Sequence, residues 1–365
     1  MSVAPPGDFD HSSRRRRYET WRESKAQDLL GVGRYAQVFR AGPDAAVKVV
    51  SLQGSSRHAR KQAFREHVVG LLQTLLLAAR ATPHLPWHFG TTFSLSPRRT
   101  VALHMELFDG TLATGGAAVL RSPGLWLALV FQVLHACAVL GDVFGVTHND
   151  AYPRNVLLRR CPTQTATYEL AGGEVAFRAP FLAALTDFGI ASGELLGAPL
   201  APEVAALKGL ASAHPPSAPA PRAFLPPDRH VLHYALRPEA RDFYTVLGWT
   251  TFGHEGLPPP PLNVRAWALQ ATRLLDAEQA ASPRPPQGGL ARFLLRLCDV
   301  RRLASLDLAG ALARPAAQRF SLPADARRQL LPAALAAMEA AHVSDRQWVE
   351  SCIQENARSE PLPGG

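Results

Sequence analysis

The chain has 365 residues, of which 47% are hydrophobic and 19% charged, and carries a formal net charge of +9. That composition excludes a wholly disordered or fibrous chain, and the length points to roughly two domains. The four scattered cysteines, Cys137, Cys161, Cys298 and Cys352, form no C-x-x-C pair and no zinc-type spacing, so a reduced intracellular setting, cytoplasmic or nuclear, is expected.

Residues 1–26 read as a basic, flexible leader without the apolar core of a signal peptide. Within it, Arg14-Arg15-Arg16-Arg17 reads as a solvated tail, with a nuclear-import signal or nucleic-acid patch as the alternative. The interleaved aromatics of a base-stacking surface are absent, so nucleic acid is not an expected partner. From 29 to 50 the pattern is strand, glycine turn, strand, turn, strand. The runs 35–40 and 45–50 are short and rich in Val and Ala, and the turn dipeptides Ala41-Gly42 and Pro43-Asp44 separate them. A helix is expected over 57–80, then strands over 87–93 and 100–108.

After Gly110 the pattern turns helical. The most apolar stretch, 125–146, is interrupted by Gln132, His135, Gly141 and Asp142, which predicts a buried helix and not a membrane span. Segment 193–240 holds Ala, Pro and His with little periodicity and reads as a long connection. Helical patterns return over 242–251, 264–280, 290–312 and 324–341, and residues 346–365 read as a tail. Strands first and helices afterwards predict an α+β fold, with a small β-rich part before a larger helical one.

Three segments carry chemistry. In Gly31-Val32-Gly33-Arg34-Tyr35-Ala36-Gln37-Val38, glycines between strands let backbone approach a phosphate, although taken alone a plain hairpin turn is the commoner explanation. Fifteen residues after Gly33 comes Lys48, in Ala46-Val47-Lys48-Val49, costly to bury unless an anion pairs with it. The second segment, His148-Asn149-Asp150-Ala151-Tyr152-Pro153-Arg154-Asn155, places an Asp and an Asn five residues apart on a loop, as base and metal ligand around a phosphate. The third, Thr186-Asp187-Phe188-Gly189, offers a hard oxygen ligand suited to Mg²⁺ at the end of an apolar strand.

In this order the segments resemble the eukaryotic protein-kinase family, with its glycine-rich loop, V-A-I-K lysine, H-R-D-x-x-x-x-N catalytic loop and D-F-G motif, from about residue 29 to 319. The resemblance implies a bilobal α+β fold: an N-lobe over 27–108 and a C-lobe over 109–345, with insertions near 159–183 and 193–240. It implies ATP and Mg²⁺ as cofactors and transfer of the γ-phosphate to Ser or Thr of protein substrates. By position, Gly31, Val32, Gly33, Val38 and Ala46 would line the nucleotide site, and Lys48 would hold the α and β phosphates, paired with Glu66. Met105 would stand before a linker, Glu106, Leu107 and Phe108, whose backbone bonds adenine. Asp150 would take the acceptor's proton, Asn155 and Asp187 would bind Mg²⁺, and Asp242 would brace the catalytic loop.

The departures are specific. Asn149 stands where the family has Arg, so a phosphorylated activation segment lacks its usual receiving charge. Tyr152 replaces the Lys typical of Ser/Thr kinases, and Arg154 is placed to reach the γ-phosphate instead. The letters Ala201-Pro202-Glu203 occur too soon after Gly189 to read clearly as the family's A-P-E. The H-N-D-x-x-P-R-N form resembles divergent kinases of large DNA viruses, which would make this a viral protein acting in the host cell or virion. Two other readings belong to different classes: a small-molecule phosphotransferase of the aminoglycoside or choline type, and a non-catalytic pseudokinase scaffold.

Overall fold

The computed structural model describes residues 11–23, 25–33, 36–52, 57–94, 100–170, 173–193, 196, 240–281, 289–308, 318–322, 325–338 and 340. The fold is α+β. Strands β1 (Leu29–Val32), β2 (Ala36–Arg40), β3 (Ala45–Ser51), β4 (His88–Ser94) and β5 (Thr100–Glu106) form an antiparallel sheet in the order β1-β2-β3-β5-β4. Helix α2 (Arg57–Ala78) connects β3 to β4. Val50, Leu52, Ala63, Val101 and Leu103 fill the space between this sheet and the helix.

A second sheet follows, in which β6 (Gly110–Thr111), β7 (Val156–Leu170) and β8 (Gly173–Leu185) are antiparallel neighbours and β9 (Gln318–Ser321) pairs in parallel with β7. Stretch 159–183, expected as an insertion, is most of the long β7–β8 hairpin, whose buried face (Ala166, Tyr168, Leu170, Phe177, Ala179) joins the main core. Helices α3 (Leu112–Val119) and α4 (Pro123–Phe144) lie between β6 and β7. Later come α5 (Arg241–Phe252), α6 (Leu262–Ala281), α7 (Gly289–Leu297) and α8 (Val300–Ser305). The helix expected over 290–312 breaks at Asp299, whose side chain accepts from the Arg301 amide at 2.9 Å and so starts α8 afresh.

Helix α4 is the centre of the molecule. Ser122 caps its start, Pro123 occupies its first turn, and Gly145 ends it at φ +64°. Of the described helices only α4 has the length and apolar content to cross a membrane, yet protein buries 94% of its most apolar window. The interrupting residues each have a partner. Gln132 accepts from the Ala183 amide at 2.7 Å and donates to the Phe181 carbonyl at 3.4 Å, while His135 Nδ1 lies 3.0 Å from Thr82 Oγ1. Asp142 takes the Leu290 and Ala291 amides at 3.2 and 2.9 Å, capping α7, and a Cβ on Gly141 would lie 2.7 Å from Leu290 Cδ1.

One expectation is overturned. Residues 11–20, expected in a flexible leader, form α1 (His11–Thr20), and Arg14 is fully buried instead of solvated. His11, Arg14, Tyr18 and, just beyond the helix, Trp21 recur at helical spacing on one face. Tyr18 stacks on Trp87 at 4.7 Å, Trp21 stacks on Phe89 at 5.5 Å, and His11 meets Trp87 and Phe320. Arg15 and Arg16 remain exposed. Hydropathy misses this face because His, Arg and Tyr compose it. Residues 346–365, most of 193–240 and the Ala201-Pro202-Glu203 letters lie outside the described residues.

Candidate active site

Lys48 sits mid-strand in β3, opposite Val38 on β2 and Leu103 on β5. Its ammonium reaches Glu66 Oε2 of α2 at 2.7 Å and Asp187 Oδ1 at 2.9 Å. Burial would lower the Lys48 ammonium, but Glu66 and Asp187 outweigh it and raise it above its ordinary value. Burial drives the Glu66 carboxyl up to about 7, against Lys48 and with Asp187. Burial also works against Asp187, whose carboxyl Lys48 nonetheless holds below the usual range. A Cβ on Gly189 would lie 3.0 Å from Glu66 Oε1 and 3.3 Å from Gln62 Cβ, so a larger residue would crowd α2 at this turn.

The second cluster sits on the loop between α4 and β7. Asp242 of α5 accepts from the His148 amide at 2.6 Å and the Asn149 amide at 2.8 Å. His148 Nε2 lies 2.8 Å from the Thr186 carbonyl, and its Nδ1 accepts from the Asp150 amide at 3.1 Å, so Nε2 carries the proton. Asn155 Nδ2 donates to the Asp150 carbonyl at 2.9 Å and to Asp150 Oδ2 at 2.7 Å. Arg154 pairs with Asp150 Oδ1 at 2.6 Å, its guanidinium 5.1 Å from the Tyr152 ring centroid. Arg154, expected to be placed for the γ-phosphate, therefore stands on the Asp150 carboxylate, with more than half of its side chain exposed.

The two clusters meet at the end of β8. The Thr186 amide donates to the Asn155 carbonyl at 2.9 Å, and His148 lies edge-on to Phe188 at 4.5 Å. Asn149 and Asp187 both adopt φ +66°, a conformation Asn and Asp tolerate better than branched residues do. Asn149 uses its amide to donate to Ile190 O at 3.1 Å and Ser192 Oγ at 2.8 Å, beside the Thr147–Ser192 backbone bridge.

The remaining expected residues divide. Ala46 is buried opposite Met105, and Met105 packs against the first sheet's core. Val32 is exposed, and a Cβ on Gly31 would meet nothing within 4 Å among the described residues, so no packing against them demands glycine there. Among the same residues a Cβ on Gly33 would meet the Ala36 carbonyl, at 3.5 Å. The linker needs correction: the Glu106 amide is committed to Trp87 O and the Leu107 amide to Asp44 O, both at 2.9 Å, and Arg159 takes the Leu107 carbonyl. Among the described residues the Phe108 amide has no protein partner, unlike the other two linker amides.

Sequence reading also missed Arg14 and Arg159, which close on the Glu106 carboxylate. Burial would raise that carboxyl, yet the two guanidinium groups hold it down at about 2. An Arg inside β7 and a Glu ending β5 were visible, but nothing local pairs them. No model of a known protein family matches the chain, and no curated protein matches it.

Proposed function

We propose that this chain is an ATP-dependent protein kinase with a bilobal arrangement. The small β-rich lobe carries Lys48 and Glu66, and the helical lobe carries Asp150 and Asn155. One observation carries the reading: Lys48 is held between Glu66 and Asp187 while the Asp150–Asn155 loop is bonded to Thr186, next to Asp187. An isolated buried lysine pair has many explanations; one joined to an Asp/Asn loop through a third acidic residue matches the parts of phosphoryl transfer.

The residues suit Mg²⁺ bound with a nucleotide. Among the described residues no group of three or more His, Cys, Asp or Glu forms a complete metal cage. Asp187 and the Oδ1 of Asn155, whose Nδ2 is committed to Asp150, instead offer two hard oxygens. Mg²⁺ is commonly held this way, by one or two protein oxygens with phosphates and waters completing the shell. When bound, Mg·ATP supplies an electrophilic phosphoryl group with its charge partly neutralised. Lys48 supplies the cation for the non-transferred phosphates, and Glu66 fixes its position. Asp150, bonded through both carboxylate oxygens to Asn155 and Arg154, is oriented to accept the proton of an acceptor hydroxyl. The Phe108 amide is the donor for the base. The acceptor is proposed to be a Ser or Thr of a protein; the Asp187-Phe188-Gly189 and glycine-loop motifs favour a protein over a small-molecule acceptor.

The test is incubation of the purified chain with labelled ATP and Mg²⁺, offering a generic basic protein and an aminoglycoside in separate reactions. Label on Ser or Thr of the protein is expected. Label on the aminoglycoside, or on nothing, overturns the reading.

A further inference from the structure

The linker 106–108 is gripped from outside by two distant arginines. Arg14 of α1 donates from Nε to Glu106 Oε1 at 2.9 Å and from Nη2 to Oε2 at 2.7 Å. It also reaches the Pro83 carbonyl and the Leu85 carbonyl, each at 2.7 Å. Arg159 of β7 donates to Glu106 Oε1 at 2.6 Å and to the Leu107 carbonyl, and its guanidinium lies 4.5 Å from the Phe108 ring centroid. Arg14 has 0% and the Glu106 side chain 1% exposure. Arg17 stands 3.8 Å from both Glu106 and Asp44.

A buried ion pair of this kind adds little stability over apolar packing of the same volume, so its significance here lies in the geometry it holds and not in its energy. Tyr18 on Trp87 and Trp21 on Phe89 already give α1 an apolar hold. Beyond the Pro83 and Leu85 carbonyls that Arg14 also holds, what the arginines add falls on the three linker residues, among them the one with the uncommitted amide.

We propose that α1 is a positioning element for the nucleotide site: Arg14, acting through Glu106, sets the linker backbone that receives the base, so that docking of α1 and nucleotide binding are coupled. The inference rests on the kinase reading and extends it to a helix outside both catalytic clusters. Arg14 touches no reactant and is a positioning residue. Coupling of this sort is reciprocal: a nucleotide that needs the linker geometry tightens α1, and loosening α1 weakens the nucleotide.

The experiment uses the full chain and a non-hydrolysable ATP analogue with Mg²⁺. Arg14→Gln and Arg14→Lys are expected to raise the Kd for the analogue at least about tenfold. The loss is expected to fall on KM for ATP, while KM for the phosphate acceptor stays within about twofold. A merely structural role would reduce the folded fraction and leave the Kd of folded molecules unchanged, which overturns the proposal. Should both variants fail to fold, hydrogen exchange on the unmodified chain decides. The analogue is expected to slow exchange in 11–20 together with 106–108; slowing confined to 106–108 overturns the proposal. An unmodified chain that binds no analogue at all removes the kinase reading, and this inference with it, whereas binding without coupling removes the inference alone.

Discussion

Lys48 and Arg154 are both cations on carboxylates, and their environments predict opposite costs of removal. The Lys48 and Glu66 side chains are only 15% and 11% exposed, so Lys48→Met leaves a buried carboxylate without its partner. Phosphoryl transfer should fall by at least about 10²-fold, and stability by about 3–5 kcal/mol. The double variant Lys48→Met/Glu66→Gln should recover much of the stability and none of the activity, as read by urea unfolding beside a turnover assay. Wild-type turnover in Lys48→Met would exclude it as the phosphate lysine. The Arg154 guanidinium is mostly in water, and an exposed pair of this kind contributes only about 0–1 kcal/mol to folding. Arg154→Ala should therefore fold normally and lower turnover about 10²-fold with little change in ATP affinity. Tyr152→Lys should restore part of that loss by returning a cation to the loop. Unchanged turnover in Arg154→Ala would assign the residue to structure.

Elements are tied here by single polar side chains. Asp142 on α4 caps α7 through two backbone amides, so Asp142→Ala should lower stability by about 1–2 kcal/mol, measured by urea unfolding, with no change in nucleotide affinity. Asn149 ties the 147–155 loop to Ile190 and Ser192 with neutral hydrogen bonds, where a phosphate-dependent Arg would leave the connection conditional. Phosphatase treatment should then leave turnover unchanged; loss of activity on dephosphorylation would show that the tie is not sufficient. Many of the strands and helices were legible, because turn dipeptides bound β3 and α4 is one long apolar run, whereas the polar face of α1 gave no such signal. The β7–β8 hairpin was read as an insertion because residues such as Thr163, Gln164, Thr165 and Thr167 hide its alternation.

For the whole molecule the sharpest consequence concerns acid. His67, His84, His88 and His135 are buried and neutral: burial lowers His67 to about 4 and His88 and His135 to about 3, and holds His84 well below its ordinary value with help from His135. The unfolded chain protonates these side chains near pH 6.5. Between that pH and the folded values the unfolded state binds more protons, so stability falls as the pH falls. At pH 5 each of His67, His88 and His135 should cost about 2 kcal/mol relative to pH 7, and His84 acts in the same direction. Denaturant unfolding at the two pH values, with proton uptake measured alongside, should show uptake of about three protons at pH 5 from those three residues, with His84 adding to it. Uptake near zero would mean that they are hydrated and titrate normally in the native chain.

Some of this was written in local sequence. Lys48 in an apolar strand, Asp150 five residues before Asn155, and Asp187 before Phe188-Gly189 announce themselves because chemistry constrains residue type and spacing along one short segment. The helical order of the second half was equally legible, since burial on one face leaves a period in the chain. What only the tertiary structure decided are the long-range pairings: Glu106 with Arg14 and Arg159, Arg154 with Asp150 in place of a phosphate, and the linker amides already committed to Trp87 and Asp44. A buried charge chooses its partner by proximity in the folded state, and residues separated by 92 positions carry no local mark of that proximity.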